Sequence, residues 1–221
     1  TAIAARDDFD AVFDAARTWY GADEIFRQNC HDVMHVVGKA AYREYRANGT
    51  VFDRTETSYC GFGFYHGFIE EMIVNSGSAA QGEVRAYCEA SSVGRGYCYH
   101  GMGHGYLDSL VLSKGLWGDL ERMVEAGIGR CEQILPDVYA RVECASGVFN
   151  GAANAMSARQ YGLSYDAIEP LIFCSRQHAD YRKKCHMEIG SGHLFEKRPR
   201  SISSAESLMR WRVRPSSRRW P

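Results

Sequence analysis

The sequence predicts an all-α protein of stacked helix hairpins that recur about every 43 residues, and three observations carry that reading. Apolar residues recur at i, i+3, i+4 and i+7 through most of the chain, while β-branched or alternating runs are few. Only five prolines occur in 221 residues, which leaves room for long helices. Cys88, Cys131 and Cys174 stand 43 residues apart, and Cys98, Cys144 and Cys185 follow them 10 to 13 residues later. Two helices per period make an α/α solenoid or a closed array.

The first helix is expected over 7–20, where Phe9, Val12, Phe13, Ala16 and Tyr20 form one stripe, and a longer one over 23–47. Further helices are expected over 59–75, 79–90, 95–112, 118–135, 137–160, 165–174 and 178–195. Breaks such as ANGT, NSGS, SKG and YGLS punctuate them. Residues 1–196 form a single repeat domain in this reading. The remaining 197–221 hold eight Lys/Arg against Glu206, a charge of +7 that leaves −8 on the body. Without clear periodicity, that basic tail is expected to be poorly ordered and is set apart from the fold.

Composition excludes several classes. A balanced chain with 12% aromatics is not a disordered one. Its mean hydropathy of −0.35 and lack of any apolar run near the roughly 20 residues of a spanning helix argue against a transmembrane segment. An acidic body offers no basic stripe for phosphates, so no nucleic-acid partner is expected.

The eight cysteines contain no C-x-x-C pair, so zinc-ribbon and dithiol redox sites are not indicated. Regular local spacing instead reads as disulfides: Cys88–Cys98, Cys131–Cys144 and Cys174–Cys185 across hairpin turns, with Cys30 and Cys60 joining neighbouring units. A disulfide framework implies a secreted or periplasmic protein. A chain that begins with Thr and shows no signal peptide fits a mature or trimmed form.

The second helices repeat C-x-x-G-x-x-[HN]-G-x-x-[EDN]. Cys60 leads to Gly63, His66, Gly67 and Glu70; Cys98 to Gly101, His104, Gly105 and Asp108; Cys144 to Gly147, Asn150, Gly151 and Asn154. At 100° per residue these positions span an arc of about 120°, one helix face. Cys185 keeps only Ser191 and Gly192 at matching offsets, and Cys30 carries the variant His31/His35. Glycine inside a helix costs about 1 kcal/mol against alanine, so its repetition implies close helix packing, space for a ligand, or both.

His66/Glu70, His104/Asp108, His31/His35 and His100/His104 are i,i+4 pairs, which project side by side and can chelate one ion. Histidine with carboxylate suits Zn, Cu or Fe, with His31, His35, His66, Glu70, His100, His104 and Asp108 as candidate ligands. Covalent haem is disfavoured because no C-x-x-C-H occurs. Such a centre points to a metal-dependent oxidoreductase or hydrolase acting on water or dioxygen, with Glu70, Glu71 or Asp108 moving the proton. Tyr65, Tyr99, Asn150 and Asn154 would line the substrate. The competing reading is a non-catalytic helical-repeat module that captures a small molecule, peptide or glycan, its His and Asn side chains forming a structural hydrogen-bond ladder.

Overall fold

The computed structural model describes residues 9–49, 52, 54–76, 81–90 and 95–190. Expectations for the basic tail and for Ser191 and Gly192 lie outside the described residues. Among the described residues all regular structure is helical: α1 (Phe9–Ala22), α2 (Glu24–Asn48), α3 (Tyr59–Ser76), α4 (Gln81–Ala90), α5 (Arg95–Lys114), α6 (Leu120–Ile134), α7 (Val138–Ser157), α8 (Pro170–Ser175) and α9 (Ala179–Cys185). No described helix is long and apolar enough to cross a membrane.

Local chemistry sets the boundaries. Asp23, Asp119 and Asp137 cap α2, α6 and α7 by accepting from the backbone N–H groups of Phe26, Arg122 and Ala140. Gly49 closes α2 in the left-handed conformation, φ 78°, its N–H donating to the Tyr45 carbonyl. The helix expected over 165–174 is instead two pieces: a 3₁₀ turn at Tyr165–Ala167, then α8. Pro170 lacks an N–H and can only open a new helix there. The helix expected from 178 is short, because α9 passes into a π-turn at His186–Gly190.

α3 packs against α2 on one side and α5 on the other, and α5 packs in turn against α7. The central helices are buried almost all round, as in residues 63–70 of α3, 101–107 of α5 and 144–149 of α7. Phe64, Phe68, Ile69, Met72, Met102, Leu107 and Phe149 fill the core between them. Glycine sets the spacing. A methyl group on Gly67 would stand 1.9 Å from the His35 carbonyl oxygen, and one on Gly147 would stand 1.8 Å from that of His100. Only a bare Cα lets these backbones touch, which is the packing role of the repeated glycines.

Four disulfides, Cys30–Cys60, Cys88–Cys98, Cys131–Cys144 and Cys174–Cys185, link helix pairs, with Cα separations of 5.4–5.9 Å and no cysteine left free. The pairing is the one the spacing implies. One detail departs from the shared-face reading: Cys60, Gly61 and Phe62 all sit at positive φ, so the right-handed part of α3 begins only at Gly63. Left-handed backbone at a non-glycine residue costs roughly 1–2 kcal/mol. The Cys30–Cys60 bridge and the stack of Phe62 on Tyr97, centroids 3.6 Å apart, hold that turn in place.

Candidate metal centre

Close packing of α2, α3 and α5 gathers five histidines. Ring centroids of His66 and His100 are 4.7 Å apart, those of His100 and His104 5.0 Å, and those of His66 and His104 5.5 Å. From α2, His31 lies 5.1 Å from His66 and 5.9 Å from His35, while His35 is 6.0 Å from His104. One ring nitrogen from each of His66, His100 and His104 lies within 4.8 Å of the other two. Such a set could hold one ion, for which imidazole ligands take metal–nitrogen distances of about 2.0–2.1 Å.

Both ring nitrogens of His66 and Nε2 of His104 are buried without a hydrogen-bond partner. An orphaned buried polar atom costs about 1–3 kcal/mol, and such groups are rare in folded proteins. The rings are held in their neutral, metal-binding form. Burial, followed by neighbouring imidazoles, drives His66 and His104 well below the usual value of 6.5. Burial, Lys39 and His31 bring His35 to about 3, and burial, Lys184 and His31 bring His100 to about 4.

Carboxylates border the cluster. Glu70 pairs with Lys39, and its Oε2 lies 3.3 Å from Nε2 of His35. It also shares a hydrogen bond with Asp108, which accepts a long one of 3.4 Å from the Tyr161 hydroxyl. Burial and then the Asp108 charge push Glu70 up to about 7, and burial raises Asp108 as well. The two carboxyls therefore hold a proton between them close to neutral pH.

Other candidate residues have different surroundings. Glu71 accepts two bonds from Arg43, at 3.0 and 3.1 Å. Tyr65 receives a 3.2 Å bond from Thr57, and Tyr99 lies among Glu89, Arg95 and Asp137. Asn150 donates to Glu188 at 2.8 Å, Ser146 donates to the other oxygen of Glu188 at 2.7 Å, and exposed Asn154 donates to Asn150. The third motif copy thus builds a hydrogen-bonded ladder beside the histidine cluster. Lys39 and Tyr161 join the site without belonging to the cysteine-led motif. Lys39 continues the α2 stripe of His31 and His35 at the next i+4 step, a signal present in the sequence. Tyr161 comes from a turn at φ 53°, which no periodicity marks.

No protein-family model, curated protein or solved structure matches the chain, so the functional reading rests on this geometry.

Proposed function

We propose that this protein is an extracytoplasmic, disulfide-stapled helical-repeat protein that binds a transition-metal ion between His66, His100 and His104, and that it acts as a metal-dependent oxidoreductase or hydrolase. The observation that carries the reading is His66: a buried imidazole with both nitrogens unpartnered, in a cluster of neutral imidazoles. A hydrogen-bonded structural ladder would satisfy those atoms, as α7 satisfies Ser146 and Asn150.

Three neutral imidazoles suit Zn, Cu or Fe, and three protein ligands leave a position open. An ion bound there supplies Lewis-acid or redox chemistry toward water or dioxygen. Glu70 and Asp108 supply the counter-charge and a shared proton, and Lys39 and Tyr161 fix their orientation. Glu71 stays tied to Arg43 and takes no part. Four disulfides with no free thiol suit an oxidising compartment, secreted or periplasmic. The hairpins α4–α5, α6–α7 and α8–α9, each closed by one bridge, support the repeat array.

Elemental analysis of protein purified without chelators tests the reading. The expected result is stoichiometric Zn, Cu or Fe that is lost from His66→Ala and His104→Ala. A chain that neither carries nor takes up a transition metal would overturn it. The fully partnered ladder on α7 favours the second reading in that event, a non-catalytic module for a peptide or glycan.

A further inference from the structure

We infer that the cluster holds two metal ions, with His66 ligating one through each of its ring nitrogens; this rests on the three-histidine reading above. The two nitrogens of an imidazole face away from each other, so only one of them can serve the ion shared with His100 and His104. The other is also buried and also lacks a partner. A metal-ligating histidine normally donates its remaining N–H to a hydrogen-bond acceptor such as a carboxylate or carbonyl, and no protein group of that kind meets either nitrogen of His66. The α2 histidines also neighbour His66, His31 with its ring centroid 5.1 Å away and tilted 63°, and His35 6.3 Å away and tilted 75°.

Those two rings are oriented in the manner of metal ligands. Nδ1 of His31 donates to the Cys60 carbonyl at 2.9 Å, and the left-handed turn at Cys60–Phe62 presents that oxygen. Since a carbonyl can only accept, Nδ1 is the donor, and in the neutral tautomer that this contact selects Nε2 carries the lone pair. His35 places Nε2 against Glu70, which leaves Nδ1 available. Carbonyl-held and carboxylate-held histidines of this kind are what surround protein-bound metals. His66, His100 and His104, whose ring nitrogens lie within 4.8 Å of one another, would hold one ion, and His66 with His31 and His35, whose ring centroids stand 5.1–6.3 Å apart, would hold the other. Binding a second ion through the remaining His66 nitrogen would require that ring proton to pass to solvent, with His66, His31 and His35 as the residues that would hold the ion. Two divalent ions would leave excess positive charge, part of which Glu70, 3.3 Å from Nε2 of His35, would offset.

Copper(II) is the probe. Metal-free, full-length protein is titrated with Cu(II), passed through a desalting column, and read by elemental analysis and electron paramagnetic resonance. Two ions per chain are expected, with a half-field signal from a coupled pair at full loading. The double variant His31→Ala/His35→Ala should retain one ion and an uncoupled spectrum. His66→Gln should abolish the coupling, and circular dichroism with thiol titration would show whether that variant keeps its helices and disulfides. If it does not, His31→Gln and His35→Gln, which alter the half-buried α2 side, give the same readout. One ion in the wild type overturns the pair and leaves the three-histidine centre standing. Two ions without coupling overturn the shared His66. No ion at all removes the three-histidine centre and the pair together.

Discussion

At the scale of single residues, the site is defined by what its histidines lack. His66→Ala and His104→Ala should each lower metal affinity by orders of magnitude while far-ultraviolet circular dichroism stays close to wild type, because apolar stripes and disulfides hold the helices. Asn150→Ala should keep the metal, since Asn150 bonds to Glu188 on the neighbouring ladder. Metal loss from Asn150→Ala equal to that from His104→Ala would place the ion elsewhere. The same rings make stability depend on pH. His35, His66, His100 and His104 are neutral when folded but take protons near pH 6.5 once unfolded. Falling pH therefore favours the unfolded chain from about 6.5 down toward 4, where His100 begins to titrate in the fold. Glu70 acts in the opposite sense between 4.5 and about 7, where the folded state keeps a proton that the unfolded state has released. Asp108, also raised, acts in the same sense as Glu70, but four rings outweigh two carboxyls, so the metal-free protein should melt at a lower temperature at pH 4.5 than at pH 7. Calorimetry checks this, and a melting temperature unchanged across that range would show that the rings are hydrated.

At the scale of helices, glycine contacts decide whether the rings can meet. Gly67→Ala would press a methyl group onto the His35 carbonyl, a backbone atom that moves only with its helix. The expected cost is about 3 kcal/mol, the upper end for overpacking, together with weakened metal binding as α2 and α3 separate. Gly129, in the middle of α6, has nothing within 4 Å of its missing Cβ. Gly129→Ala should therefore stabilise the protein by about 1 kcal/mol and leave metal content unchanged. Paired thermal melts and metal analyses of the two variants provide the check. Equal effects from both would mean that helix propensity, rather than close approach, explains the glycines.

At the scale of the whole molecule, the disulfides hold the stack of helices together. Each short bridge of 10 to 13 residues contributes roughly 2–3 kcal/mol in the chain-entropy model, and Cys30–Cys60, spanning 30, slightly more. Thiol titration of the unfolded, unreduced chain should find almost no free sulfhydryl, and peptide mapping should return the four pairs. Reduction should lower the melting temperature sharply and weaken metal binding on the His31 side, because the left-handed turn that presents the Cys60 carbonyl to His31 loses its tether. Eight reactive thiols in the native protein would contradict the pairing and the oxidising compartment together.

The sequence alone determined the helical class, because the 3.6-residue period of Phe9, Val12, Phe13 and Ala16 and its counterparts needs no knowledge of neighbours. Cysteine pairing was legible for the same reason: bridges of 10 to 13 residues close locally. The i,i+4 histidines could also be read from one helix at a time. Tertiary structure decided which of these local features share a site. His31 and His35 reach His66 because α2 touches α3 at bare glycine Cα atoms, whereas Asn150 turns to Glu188, and no spacing within a single helix encodes either choice. Glu71, beside Glu70 in the sequence, faces Arg43 because adjacent helical residues point about 100° apart. Tyr161 reaches Asp108 from a loop, where conformation rather than period sets direction. The left-handed turn at Cys60–Phe62 was hidden as well, since its strain is held by a disulfide and a ring stack that exist only in the folded chain.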